Sequence, residues 1–296
     1  MRLQPLRHLV ILLLASIAAF PTRAQQPELQ IKPQPALQSA LQSAFQPEIG
    51  QSGKDVVWVP TPDALVNRML RLARVVPSDT VVDLGAGDGK IAIAAARDFR
   101  ARARGVEFNP NMVELARRNA RAANLGDAVE IIQGDIFQTD FSDATVVTLY
   151  LLPSLNLKLR PKLLELRAGT RIVSHAFDMG EWEADETTRS DGSQAYLWIV
   201  PAHISGLWKI EHAGSYGKES WEVTLKQRYQ RIEGTVNRQG RLSPLTGTVN
   251  GLGVRFSIND ADQGERVFVG RVTNQGMTGR TRTQGGTEIP FEARRD

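Results

Sequence analysis

Three carboxylates, Asp83, Glu107 and Asp135, follow short β-branched runs, TVVDL, ARGVEF and VEIIQGD, each where a strand should stop. Between the first two runs lies VVDLGAGDGKIAIAAA, in which Gly85, Gly87 and Gly89 alternate with Ala86 and Asp88 before an alanine-rich helical stretch. Glycines let a backbone turn sharply and approach a ligand without Cβ clashes. In a parallel doubly wound sheet, ligands lie outside the carboxyl ends of the strands, so the three acids should converge on one crevice beside that turn. Such a crevice repels a diphosphate and welcomes a ligand with an ammonium, a ribose diol and an exocyclic amine. The dinucleotide pattern G-x-G-x-x-G is not met, because the third glycine comes one residue early and Lys90 stands in its place. A nicotinamide or flavin site is therefore disfavoured.

S-Adenosylmethionine carries all three of those groups and a cationic sulfonium. The motifs D-L-G-A-G-D-G, G-V-E-F-N-P and G-D-I-F resemble those of class I S-adenosylmethionine-dependent methyltransferases, with the likeness running over residues 54–201. Within that superfamily, VPTPDALVNRML and ELARRNA look most like the ATP synthase c-subunit lysine methyltransferase family and its bacterial relatives, with Trp58 where that family carries Tyr. The resemblance implies that Asp83 and the turn of Gly85, Ala86, Gly87, Asp88 and Gly89 hold the methionine end. It further implies that Glu107 takes the ribose hydroxyls and Asp135 the adenine amine, with Phe108 and Ile136 in the cofactor site and Ile136 beside the ring. Each acid has a plainer reading as a turn cap, and Asp88 either caps the following helix or approaches the methionine end.

Methyl transfer from a sulfonium is an in-line displacement, so the protein has to align an electron pair with the methyl group and exclude water. The fourth strand ends in Tyr150-Leu151-Leu152-Pro153 and lacks the amide that orients a planar base or a glutamine nitrogen. That argues against DNA, RNA or glutamine and leaves lysine amines or small nucleophiles open. A lysine ammonium must first lose its proton, helped by a nearby acid or by desolvation. Tyr150 and Asp178, at the ends of the fourth and fifth strands, are the catalytic candidates. Tyr150 has an alternative reading as a rim aromatic on the adenosine, and His175 is either part of this site or a satisfied strand histidine. The expected activity is S-adenosylmethionine-dependent methyl transfer to a nucleophile, foremost a protein lysine amine. The alternative is a non-catalytic envelope protein that binds S-adenosylmethionine or another ligand.

The elements that must position these groups alternate. Thr61-Pro62-Asp63 predicts a helix start with Pro at its first position, and Asn109-Pro110 predicts another. With ATVVTLY and RIVSHAF added, at least five strands follow in βαβ order, which predicts a Rossmann-like, doubly wound α/β sheet over residues 54–201. QAYLWIVP reads as its antiparallel edge strand. From 202 to 296 the pattern changes to period two with frequent glycines, predicting a small antiparallel β-barrel or sandwich of unassigned role. Gly234, Gly247 and Gly270 head a short repeat there. Trp208, Trp221, Phe256, Phe268 and Phe291 fill its core or line a ligand cavity.

The chain has 296 residues, 42% hydrophobic and 23% charged, an ordinary soluble composition with room for two domains. Residues 1–24, with Arg2 and Arg7 before the twelve-residue run LVILLLASIAAF and small residues at Thr22 and Ala24, read as a signal peptide. That predicts a periplasmic or secreted protein without a transmembrane span after cleavage, the alternative being an N-terminally membrane-anchored one. Residues 25–53 read as a Gln/Pro-rich linker, with a weak amphipathic pattern through Leu37, Leu41 and Phe45. The net charge of +4 falls to 33 basic against 32 acidic residues once Arg2, Arg7 and Arg23 are removed, which is poor support for a nucleic-acid partner. The expected partner is a protein or small-molecule methyl acceptor. Absence of cysteine excludes disulfides, thiol nucleophiles and Cys-ligated zinc, and four scattered histidines leave a metal site little to work with.

Overall fold

The computed structural model describes residues 45–190, 192–214, 217–260, 264–283 and 286–295. The expected signal peptide and all of the expected linker up to residue 44 lie outside the described residues.

Residues 61–199 form a three-layer α/β unit. In chain order its elements are α1 (Asp63–Leu72), β1 (Thr80–Leu84), α2 (Lys90–Phe99), β2 (Arg102–Glu107), α3 (Pro110–Ala122), β3 (Val129–Gln133), β4 (Val146–Leu149), α4 (Pro153–Leu164), β5 (Arg171–His175), β6 (Glu186–Ser190) and β7 (Ser193–Ile199). The seven strands lie in the order β3-β2-β1-β4-β5-β7-β6. The first five run parallel, and β7 pairs antiparallel with both β5 and β6. Successive strand residues bury on opposite faces. Val81 and Val146 pack under α1, α2 and α3, while Val82, Val147 and Ile172 pack on the other side with Leu159 and Leu163 of α4. The strand order reverses about β1, and β1 and β2 deliver Asp83 and Glu107 to that switch point.

The structure corrects two expectations. QAYLWIVP is not the edge strand, because β6 covers it; the sequence ETTRS of β6 is polar, so no hydrophobic period marks it. Asn109 caps α3 as expected, its side chain accepting from Asn111 N and Met112 N. Pro62, however, expected as the first helical residue, is instead the N-cap of α1, and the Thr61 hydroxyl lies 3.1 Å from His175 Nδ1.

The second half is a closed eight-stranded antiparallel barrel, which decides between the two architectures expected for it. Its strands are β8 (Gly206–Gly214), β9 (Gly217–Arg228), β10 (Arg231–Arg238), β11 (Arg241–Asn250), β12 (Gly253–Asp260), β13 (Gly264–Thr273), β14 (Gly276–Thr283) and β15 (Ile289–Arg295), with β15 closing onto β8. Trp208, Trp221, Phe256, Phe268 and Phe291 are buried together as its core. The repeated glycines make the closure possible. A Cβ on Gly234 would lie 1.9 Å from Thr224 O and one on Gly247 2.2 Å from Arg255 O, so the neighbouring strands approach closer than any side chain permits. Among the described residues, no helix is long and apolar enough to cross a membrane.

Candidate active site

The turn after β1 is built on its glycines. Gly85, Gly87 and Gly89 have φ of 84°, 55° and 82°, in the left-handed region where a side chain is strained. Gly85 N and Ala86 N both donate to Val106 O, at 2.9 and 3.0 Å, which ties the turn to β2. Glu107, ending β2, accepts from Gly87 N through Oε2 at 2.9 Å and from Asn109 N through Oε1 at 2.8 Å. Its carboxylate is thereby fixed in orientation, with lone pairs left for a diol. Asp135 follows β3 and accepts from Phe137 N at 2.8 Å and from Lys54 Nζ at 2.8 Å; the Lys54 hydrogen bond holds its carboxyl below the usual range. Lys54 also stands 4.6 Å from the centroid of the Phe108 ring.

Asp83 is 2% exposed and accepts from Thr148 Oγ1 at 2.6 Å. Burial pushes its carboxyl up to about 7, against the Thr148 hydrogen bond, with Asp88 and Glu107 adding repulsion. Asp88 is likewise raised by burial, and one residue before Gly89, the N-cap of α2, it accepts from Lys90 N at 3.2 Å. These groups share a crevice of about 320 Å³, within the roughly 300–1,000 Å³ of small-molecule sites.

Of the residues expected from the sequence, Asp83, Gly85, Ala86, Gly87, Asp88, Glu107, Phe108, Asp135, Ile136 and Tyr150 all line that one crevice. Gly89 and Asp178 do not. Gly89 instead lets α2 approach α3, since a Cβ there would lie 3.0 Å from Ala116 Cβ. Asp178 is exposed, and its Oδ1 accepts from Gly180 N at 3.0 Å. The cause is the turn after β5. Ala176 has φ of 65°, and Phe177 N donates to His175 O at 2.8 Å, a γ-turn that sends Phe177 rather than Asp178 to the crevice.

Sequence reasoning also missed the strap over the site. Gly50 N donates to Trp58 O and Trp58 N to Gln51 O, both at 2.9 Å, so residues 50–58 form a small hairpin. Gln51 to Thr61 line the crevice, and a linker boundary at residue 53 cuts through this hairpin. Gly50 and Gly53, spaced around a polar turn, were the available signal. Trp58 lies over the glycine turn, and a Cβ on Gly87 would be 2.7 Å from its Nε1.

Tyr150 is backed by His175, with ring centroids 3.8 Å apart, and His175 in turn by the Thr61 hydroxyl. Burial pushes the His175 imidazole down to about 4, so it is neutral at physiological pH. Leu151, Leu152, Leu155 and Phe177 make the wall around Tyr150 apolar. The donor set fits S-adenosylmethionine: three separate carboxylates for ammonium, diol and amine, glycine backbone where a Cβ would intrude, and an apolar acceptor end.

Residues 83–186 match the family model of the ANTKMT methyltransferase domain. The chain is 42% identical over 154 residues to a protein-lysine N-methyltransferase of Saccharolobus islandicus, covering 50% of this chain and 96% of that protein. It is 34% identical over 152 residues to the adenine nucleotide translocase lysine N-methyltransferase of Mus musculus, covering 51% and 65% of the two chains. The ATP synthase c-subunit lysine N-methyltransferase of Mus musculus is 32% identical over 132 residues, with 44% and 53% covered. The chain thus spans about half to two thirds of the length of the mouse relatives. Among solved structures, an RNA methyltransferase from Salinibacter ruber in complex with S-adenosyl-L-homocysteine is 54% identical, with a TM-score of 0.49 and coverage of 49% of this chain and 96% of that one.

Proposed function

Because this chain belongs to the protein-lysine N-methyltransferase family and is an S-adenosylmethionine-dependent methyltransferase, we propose that it methylates the ε-amine of a lysine in a protein substrate. The observation that carries the reading is the single crevice in which the three strand-end acids stand next to an apolar, aromatic-walled end. When bound, S-adenosylmethionine supplies an electrophilic methyl group on a sulfonium. The chain's own residues do the rest. Asp83 would hold the ammonium of the methionine end, Glu107 the ribose hydroxyls, and Asp135 with Phe108 and Ile136 the adenine. Tyr150 and Phe177 border the incoming lysine. The apolar wall lowers the affinity of that amine for its proton, because desolvation disfavours the ammonium, and it excludes competing water. His175, neutral and bonded to Thr61, holds the Tyr150 ring in place.

The leader supports a location in the cell envelope, where the acceptor would be found; a fusion of residues 1–30 to a compartment-sensitive reporter tests that separately. The test of function is incubation of the full chain and labelled cofactor with envelope proteins and, in parallel, with total RNA. Label on lysine side chains, located by mass spectrometry, is the expected result. Label on RNA alone would overturn the acceptor class, and no label with intact cofactor binding would favour a non-catalytic binding protein.

A further inference from the structure

The segment that brings Phe177 to the crevice is gripped from both sides. On the catalytic side, Asn156 of α4, fully buried, donates through Nδ2 to Phe177 O at 3.2 Å and to Asp178 O at 3.3 Å. On the other side the grip comes from the barrel. The turn between β9 and β10 presents Tyr229, whose ring stacks on Trp182 at 6.2 Å and 13°. Gln230 Nε2 donates to Glu183 O at 2.8 Å, and Arg231 pairs with the Glu183 carboxylate at 2.6 Å. Tyr229 has φ of 53°, a conformation in which glycine or asparagine is the ordinary choice. A bulky residue kept there at a conformational cost points to the ring itself as what the turn requires.

We infer that the barrel is a working part of the acceptor side of the enzyme: its Tyr229 turn clamps residues 177–183 and so fixes Phe177 at the crevice. Tyr229 is a positioning residue, since its ring reaches Trp182 and does not line the crevice. The inference deepens the proposed function and rests on that reading of the crevice. The cofactor acids end β1 and β2 or follow β3, whereas this segment follows β5 on the other side of β4 in the sheet order, so the clamp acts on the acceptor and leaves cofactor affinity alone.

The experiment compares the full chain with Tyr229→Ala, Tyr229→Phe and Gln230→Ala by hydrogen exchange, calorimetric cofactor binding and steady-state methyl transfer to a lysine-containing protein acceptor. Expected for Tyr229→Ala is faster exchange over residues 176–183, a cofactor Kd within about twofold of wild type, and an acceptor kcat/KM lower by about tenfold or more, as misplacement of a substrate-facing group by an ångström costs on the order of a hundredfold. Tyr229→Phe, which keeps the ring, should behave as wild type. Unchanged exchange over 176–183, or unchanged kcat/KM in a folded Tyr229→Ala protein, overturns the clamp. So does a parallel loss of cofactor affinity, which would mark general damage. If Tyr229→Ala does not fold, Gln230→Ala decides by the same readouts in smaller measure. A wild type that methylates no lysine acceptor sinks the proposed function instead, and the exchange result still reads the clamp by itself.

Discussion

Asp83 is the residue whose chemistry departs furthest from that of its free side chain. With its carboxyl pushed up to about 7 by burial, only a minor fraction is ionised at pH 6 and most is at pH 8. A cationic ammonium needs the ionised form, so cofactor affinity should rise by about tenfold between pH 6 and pH 8, with proton release on binding below neutrality. Titration calorimetry in buffers of different ionisation enthalpy reads both effects, and Asp83→Asn should weaken binding and flatten the profile. The unliganded fold has the opposite sign. Its native state holds the Asp83 proton more tightly than the unfolded chain does, so Asp83 costs stability as pH rises from about 4 to about 7. Glu107 presents a different case, a carboxylate already oriented by two backbone N–H groups. Losing its charge-assisted bonds to a diol, about 1.5–3 kcal/mol, predicts ten- to about a hundredfold weaker cofactor binding in Glu107→Ala. The three acids were legible because each ends a β-branched run. The outward turn of Asp178 was not legible, because the reversal at Ala176 is made by a non-glycine residue at positive φ, which leaves no Gly or Pro at that point of the sequence to mark it.

Among the elements, the glycine turn divides its labour in a way that substitution can separate. Alanine at either Gly87 or Gly89 meets positive φ, a cost of roughly 1–2 kcal/mol. The neighbours then differ. At Gly87 the added methyl meets the Trp58 indole of the strap, whereas at Gly89 it meets Ala116 of α3. Gly87→Ala should therefore weaken cofactor binding more than it lowers Tm, and Gly89→Ala should lower Tm more than its effect on binding; equal ratios in the two variants would contradict the assignment. Strands β1 to β5 were readable from their β-branched runs, helices α1 and α3 from Pro at their starts, and α2 from its alanine-rich stretch. The strap hairpin was not, since its polar Gln51-Ser52-Gly53 continues the composition of the preceding Gln/Pro-rich stretch. Strand β6 was hidden for a related reason: an exposed edge strand has no buried face to impose alternation.

At the scale of the molecule, the period-two runs beyond residue 202 announced short strands and left barrel and sandwich open, because closure rests on Phe291 pairing with His212 across most of the domain. Once closed, the barrel depends on a few rings. Phe268 is fully buried, stacked on Phe256 at 4.7 Å and edge-on to Phe291 at 5.2 Å, so Phe268→Ala should cost about 3–5 kcal/mol. How that loss spreads depends on the contact between the halves. Besides the Tyr229 turn, Ala202 N donates to Gly251 O at 2.7 Å and Asn250 Nδ2 to Asp185 Oδ1 at 3.0 Å. A barrel bound this way should unfold together with the sheet that holds the cofactor. Cofactor at a hundred times its Kd stabilises whatever unfolds cooperatively with its site by about 2.7 kcal/mol. Saturating S-adenosylmethionine should therefore raise the barrel transition of Phe268→Ala along with that of the sheet, in one calorimetric peak. Two peaks, only one of them shifted by cofactor, would mean that the halves are tethered and not coupled.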